Sequence, residues 1–137
     1  MTDLANKSVL VTGGSRGIGA AMARAIGAAG AEMIVHYGRN RDAAEAVRDD
    51  IGGERCHIVQ ADLAVPEEVE KLWQEALALA PGLNVLINNA GIFEEAPVDA
   101  PLAEWRAAWS PVLQVHPPGP AELCRPRLTH FRRFRER

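Results

Sequence analysis

The chain has 137 residues, of which 47% are hydrophobic and 24% are charged, and its net charge is −3. This length and composition predict one soluble globular domain with a real core, and they exclude a disordered chain. No apolar run approaches the roughly 18 residues that span a bilayer, and the first residues lack the apolar segment of a signal peptide. Cys56 and Cys124 lack metal-ligand spacing, so we interpret them as reduced thiols of a cytoplasmic protein.

Short apolar segments alternate with amphipathic segments along the first 88 residues. Four strands are predicted at 7–11, 31–37, 56–61 and 85–88, and three helices at 16–29, 41–51 and 66–80. This alternation is typical of parallel strands joined by right-handed crossovers. The fold class predicted is α/β, a Rossmann-like doubly wound parallel sheet of about four strands with flanking helices. The buried face of the first helix is predicted to hold Ile18, Met22, Ala25, Ile26 and Ala29.

A glycine turn, residues 12–17, lies between the first strand and the first helix. A strand, a glycine turn and a helix N-terminus in succession make a phosphate-binding site. The free N–H groups of the first helical turn and the positive end of the helix dipole both face the anion. Glycine also lets the turn adopt φ > 0 and lets a pyrophosphate approach the backbone. The alternative is an ordinary turn before an Ala-rich helix.

Two short motifs carry a resemblance to a known family. Residues 12–19, Thr-Gly-Gly-Ser-Arg-Gly-Ile-Gly, resemble the cofactor motif of the classical short-chain dehydrogenase/reductase (SDR) family. Residues 88–91, Asn-Asn-Ala-Gly, resemble its second N-terminal motif. The resemblance covers residues 5 to about 115 and implies hydride transfer between a nicotinamide cofactor and an alcohol or carbonyl compound. Within the family, the chain is similar to NADP-dependent oxoacyl and ketone reductases.

The resemblance implies a cofactor site at the carboxyl ends of the strands. Its members are Gly13, Ser15, Arg16, Gly17, Ile18, Gly19, Tyr37, Arg39, Asn40, Asp62, Leu63, Asn89, Ala90 and Gly91. Asp62 and Leu63 match the family pair that contacts the adenine ring, while Asp62 alone is equally typical of a helix cap. In the family, one asparagine of the second motif ties adjacent strands together, and the Ala90–Gly91 backbone passes along the nicotinamide ribose.

The end of the second strand indicates which dinucleotide binds. Residues 36–40, His-Tyr-Gly-Arg-Asn, contain no acidic residue that could bind the ribose 2′-OH of NAD. Arg16 and Arg39 match two basic positions that mark NADP preference in the family, and a guanidinium pairs bidentately with phosphate. NADP is therefore predicted, with NAD the weaker alternative, although Arg16 is also typical of a solvated residue at a helix start. The four histidines lack ligand spacing, so no metal is predicted.

No catalytic residue is assigned. The family's proton donor is a tyrosine followed four residues later by a lysine, assisted by a serine and an asparagine. Tyr37 is the only tyrosine and the lysines are Lys7 and Lys71, so the chain contains no Tyr-x-x-x-Lys. The asparagine position falls on His116, and the two prolines that follow are expected to keep it out of the helical position.

The pattern weakens after residue 91. Helical spacing returns over 102–115, and the prolines at 117, 118 and 120 predict that no helix continues through 116–120. The predicted division is a dinucleotide-binding domain over 1–115 and a Pro/Arg-rich tail over 116–137, in place of the family's central helix. The tail contains Arg125, Arg127, Arg132, Arg133, Arg135 and Arg137, with Phe131 and Phe134. It lacks a recognisable nucleic-acid module, so nucleic-acid binding is disfavoured.

Three functions follow from these features. The first is a truncated NADP-dependent SDR oxidoreductase, inactive alone, whose intact relatives act on small carbonyl substrates. The second is a dinucleotide-binding module or subunit without chemistry, and the third is an interaction protein with a basic tail. The fourth strand has no predicted outer neighbour, so an apolar edge at 85–87 is expected to cause self-association.

Overall fold

The computed structural model describes residues 3–135, apart from the side chains at 127 and 133–135. The strands of this described part are β1 Ser8–Val11, β2 Glu32–Tyr37, β3 Cys56–Gln60 and β4 Val85–Ile87. Its helices are α1 Gly17–Ala28, α2 Arg41–Ile51, α3 Pro66–Leu79, α4 Leu102–Val115 and α5 Pro118–Arg135. Each element predicted before residue 89 is present, and its ends differ from the prediction by at most one residue.

The four strands form one parallel sheet in the order β3-β2-β1-β4. This confirms the predicted Rossmann-like α/β class. Because all strands run the same way, their carboxyl ends meet at one edge of the sheet, which we call the carboxyl edge. Residues 13, 37, 62 and 89 lie at or just beyond this edge. β4 pairs only with β1 and leaves its other side without a strand among the described residues.

Helices cover both faces of the sheet. Alternate strand residues point to opposite faces, so Val9 and Met33 pack with α1 and α2 while Leu10 and Ile34 pack with α3 and α5. The buried face of α3 consists of Val69, Leu72, Trp73 and Ala76, and Ala80 is buried just beyond the helix. The core therefore lies on both sides of β1 and β2 and holds the carboxyl edge in place.

The predicted buried face of α1 is wrong at two positions. Ile18 is 75% exposed and Ala25 is also exposed. The face that meets the protein consists of small residues, Gly19, Ala20, Ala23 and Gly27. A Cβ at Gly27 would lie 2.6 Å from the Ile51 side chain, so α1 approaches α2 as closely as glycine allows. Because α1 packs through glycine and alanine, the positions of its large apolar residues do not indicate which of its faces is buried.

The prediction that no helix continues through 116–120 is wrong from residue 118 onward. The chain breaks at His116 and Pro117, and α5 then begins at Pro118. Pro118 and Pro120 lie in its first turn, where a backbone N–H has no intrahelical partner and its loss costs little. Pro111 and Pro126 lie inside α4 and α5.

The described part of the tail packs on the rest of the chain. Leu123 is 1% exposed in the core, and the Nε2 atom of His130 lies 2.9 Å from the carbonyl oxygen of Leu83. Of the predicted basic residues, Arg125 and Arg132 are exposed. The side chains of Arg127, Arg133, Phe134 and Arg135, and all of Arg137, lie outside the described residues. The division at residue 115 stays a prediction. Within 3–135, no helix is both long and apolar enough to cross a membrane.

Candidate functional site

The glycine turn has two positions that need positive φ. Gly13 has φ +63° and Gly17 has φ +54°. A Cβ at Gly13 would lie 2.8 Å from the Cα atom of Ala90, so the turn packs against the segment after β4. A Cβ at Gly17 would meet no atom within 4 Å. The turn is therefore packed on one side and open on the other.

The turn and the start of α1 hold both paired and unpaired backbone donors. The N–H groups of Gly13 and Gly14 donate to His36, the first to its Nδ1 atom at 3.0 Å and the second to its carbonyl oxygen at 2.9 Å. In the described part of the chain, no acceptor reaches the N–H groups of residues 15–19. Arg16 precedes α1 without a side-chain cap. These N–H groups lie at the positive end of the α1 dipole, and together they suit an anion.

Thr12 and Asn89 join the glycine turn to the end of β4. The Oγ1 atom of Thr12 accepts hydrogen bonds from the N–H groups of Asn89 and Ala90, both at 3.0 Å. The Nδ2 atom of Asn89 donates to the carbonyl oxygens of Thr12 at 3.0 Å and Gly13 at 3.1 Å. Asn89 is thus the asparagine that ties adjacent strands. Thr12 was absent from the predicted site, although a hydroxyl at the end of a buried strand always needs partners.

Two residues that follow β2, Arg39 and Asn40, have different roles: Arg39 is exposed, and Asn40 caps α2. The Oδ1 atom of Asn40 accepts from the N–H group of Ala43 at 3.0 Å, so its side chain caps α2. Tyr37 is 3% exposed, whereas Arg39 lies in solvent at the carboxyl edge. Among the described residues, the guanidinium groups of Arg16 and Arg39 have no hydrogen-bond or ion-pair partner. Both are therefore available to an anionic ligand.

Asp62 and Leu63 follow β3. The Oδ1 atom of Asp62 accepts from the N–H group of Ala64 at 2.9 Å, so this carboxylate closes a turn ahead of α3. Val65 is the N-cap of α3 itself. Leu63 is 6% exposed and packs in the core, which leaves its backbone for any contact with a ligand. The adenine contact stays a prediction.

His116 lies over the second motif. A Cβ at Gly91 would be 2.9 Å from its Cε1 atom, and its Nε2 atom is 3.1 Å from the carbonyl oxygen of Ile92. The backbone of His116 is right-handed helical, with φ −82° and ψ −67°. The expectation that the following prolines keep His116 out of a continuing helix is confirmed, because α4 ends at Val115 and His116 is its C-cap. Only the backbone conformation of His116 itself stays right-handed.

Comparisons with known sequences agree with this geometry. A model of the short chain dehydrogenase family matches residues 7–135. A 3beta-hydroxysteroid dehydrogenase 1 from Eggerthella lenta is 38% identical over 132 residues, which are 94% of this chain and 49% of the relative. A 3-oxoacyl-[acyl-carrier-protein] reductase from Synechocystis is 40% identical over 111 residues, 78% of this chain and 44% of the relative. The chain spans about half the length of the curated relatives it matches.

Solved structures also resemble this chain over about half of their own length. A short chain dehydrogenase from Burkholderia cenocepacia in complex with NADP superposes with a TM-score of 0.80 at 34% identity. The match covers 90% of this chain and 50% of that structure. A blue fluorescent protein from a metagenomic library, in complex with NADPH, gives a TM-score of 0.74 at 31% identity over 87% of this chain and 49% of that structure.

Proposed function

Because the chain belongs to the short-chain dehydrogenase family, we propose that it binds NADP or NADPH at the carboxyl edge of its sheet. The observation that carries this proposal is the run of unpartnered N–H groups at residues 15–19, beside the open Gly17 position. A pyrophosphate fits there because it accepts hydrogen bonds and carries negative charge. A bound nicotinamide dinucleotide supplies or accepts a hydride at a carbonyl or alcohol carbon.

Two features support NADP over NAD. Arg16 and Arg39 expose unpaired guanidinium groups, and no acidic residue stands at 36–40 to bind a ribose 2′-OH. Structural relatives have also been solved as NADP and NADPH complexes. We expect the 2′-phosphate to lie near Arg39.

We expect NADPH to bind more tightly than NADH, and Arg39→Ala to reduce the difference by about 1–3 kcal/mol, the scale of a charge-assisted hydrogen bond. Fluorescence titration of both nucleotides measures this difference. Arg24→Ala is the control, because it removes another exposed guanidinium, one that pairs with Asp50 at 2.8 Å. Equal affinities for the two nucleotides, unchanged in Arg39→Ala, would contradict the NADP assignment.

The substrate proposed is a small carbonyl compound, reduced only when catalytic groups from outside this chain complete the site. Binding without chemistry is the second candidate, since the described carboxyl edge lacks a tyrosine–lysine pair. The third function, an interaction protein with a basic tail, loses support because α5 packs on α3 through the core. A cytoplasmic location is proposed from Cys56 and Cys124, which are free thiols.

Self-association is proposed at the β4 edge. The apolar residues Val85, Leu86 and Ile87 are only half-buried, and their strand has one neighbour. An unpaired apolar edge favours pairing with another chain. Sedimentation velocity over a range of protein concentrations is expected to show species larger than the monomer. A single monomeric species at every concentration would rule this out.

A further inference from the structure

His36 has both ring nitrogens hydrogen-bonded in a buried position. It is 3% exposed, next to the end of β2. Its Nδ1 atom lies 3.0 Å from the backbone nitrogen of Gly13, and its Nε2 atom lies 3.0 Å from the carbonyl oxygen of Ala61. An N–H group can only donate and a carbonyl oxygen can only accept. The ring is therefore neutral, with its hydrogen on Nε2.

These bonds set the shape of the glycine turn. His36 accepts from Gly13 through its ring and from Gly14 through its backbone, so one residue of β2 takes up the N–H groups of both glycines. The next five N–H groups, at residues 15–19, stay free. The bond to Ala61 fixes the ring against the end of β3. His36 thus connects the carboxyl ends of three strands.

We propose that His36 is a positioning residue for the dinucleotide site, and that its neutral Nδ1 atom holds the glycine turn in the binding conformation. The proposal rests on the function proposed above. A protonated ring has no acceptor at Nδ1, so its N–H would face the N–H group of Gly13. Protonation therefore releases the turn and weakens nucleotide binding.

The surroundings of the ring determine the direction of the pH effect. Burial lowers the pKa of His36 below the ordinary 6.5, against the opposing effects of the Ala61 carbonyl and the Asp62 carboxylate. The charged group beside the ring is Asp62, which follows β3. The glycine turn faces the ring with the backbone N–H group of Gly13. The neutral ring binds nucleotide and a proton competes with binding. The affinity that depends on the neutral ring is thus highest well above the lowered pKa of His36 and falls as the pH drops through that pKa, by at most about tenfold per pH unit.

Two substitutions test the roles of the two ring nitrogens separately. In His36→Asn, the amide oxygen can take the position of Nδ1 and accept from Gly13, and it does not titrate. In His36→Gln, the longer amide can reach Ala61 but leaves the Gly13 N–H group without its acceptor. We expect His36→Asn to bind NADPH like the natural chain above pH 7 and His36→Gln to bind about tenfold more weakly.

The experiment is a fluorescence titration of NADPH between about pH 8 and pH 5 for the natural chain, both variants and the control His57→Asn. The 2′-phosphate titrates near pH 6 and affects all four proteins alike. The difference in pH dependence of NADPH affinity between the natural chain and His36→Asn therefore reports the protonation of the His36 ring. The expected result is an additional loss of affinity at low pH in the natural chain and in His57→Asn. Circular dichroism at each pH confirms that the proteins stay folded.

Two results would overturn the inference. If the profiles of the natural chain and His36→Asn superimpose while both bind NADPH, His36 does not control the turn, and the proposed function still stands. Tight binding by His36→Gln at pH 8 leads to the same conclusion. If the natural chain binds no nucleotide at pH 8, the proposed function fails and this inference fails with it.

Discussion

Replacing Gly17 by valine is expected to abolish NADPH binding, with a loss of affinity of about a hundredfold or more. Gly17 has φ +54° and lies within the run of free N–H groups, and a Cβ there would meet no atom of the protein within 4 Å. A branched side chain would occupy the space proposed for the pyrophosphate. The positive φ also strains valine by about 1–3 kcal/mol, which disturbs the turn further. Calorimetric titration with NADPH measures the loss.

Gly52→Val is the matched control for this strain. Gly52 ends α2 with φ +101°, and a Cβ there also meets no atom within 4 Å. Valine at this position also bears the backbone cost of a positive φ, and it does so far from the carboxyl edge. We expect Gly52→Val to lower the free energy of unfolding and to retain binding. Retained binding in Gly17→Val, or equal loss in both variants, would mean that the nucleotide lies elsewhere.

The sheet and its helices could be predicted because their signals are local. The apolar run of a buried strand, the proline at the start of α3 and the glycine after α2 each mark an element within a few residues of chain. The carboxyl edge followed from strand direction alone. The start of α5 was missed because its prolines were interpreted as preventing a helix. Proline is tolerated in a first helical turn, since the N–H group that it lacks has no partner there.

The contacts that shape the site could not be predicted, because they join residues far apart in the chain. Thr12 meets Asn89 across 77 positions, and Gly13 meets His36 across 23. Nothing in the neighbouring residues marks a strand histidine as the acceptor for a turn. The face of α1 was misjudged for a related reason, since close approach at Gly19 and Gly27 depends on the partner surface.

The chain alone is expected to reduce no carbonyl compound at a useful rate, even when loaded with NADPH. Hydride transfer leaves an alkoxide that needs a proton, and a positioned general acid contributes about 10² to 10⁴ in rate. Tyr37 is buried on β2, with β1 between it and the Ala90–Gly91 segment. Lys7 precedes β1 at the opposite edge of the sheet, and Lys71 pairs with Glu75 at 3.5 Å on α3. No tyrosine or lysine of the chain therefore reaches the segment expected to border the nicotinamide.

His116 is the remaining candidate donor, because it is an imidazole beside Gly91. Its Nε2 atom is already 3.1 Å from the carbonyl oxygen of Ile92, so donating from this nitrogen to a substrate would break that hydrogen bond. We expect NADPH consumption with a 3-oxoacyl thioester or a ketosteroid to stay at the buffer rate in the natural chain and in His116→Ala. The Burkholderia cenocepacia short chain dehydrogenase, about twice as long as this chain, is a reference for nucleotide binding under the same conditions. Carbonyl reduction by the natural chain that disappears in His116→Ala would show that the histidine supplies the proton after all.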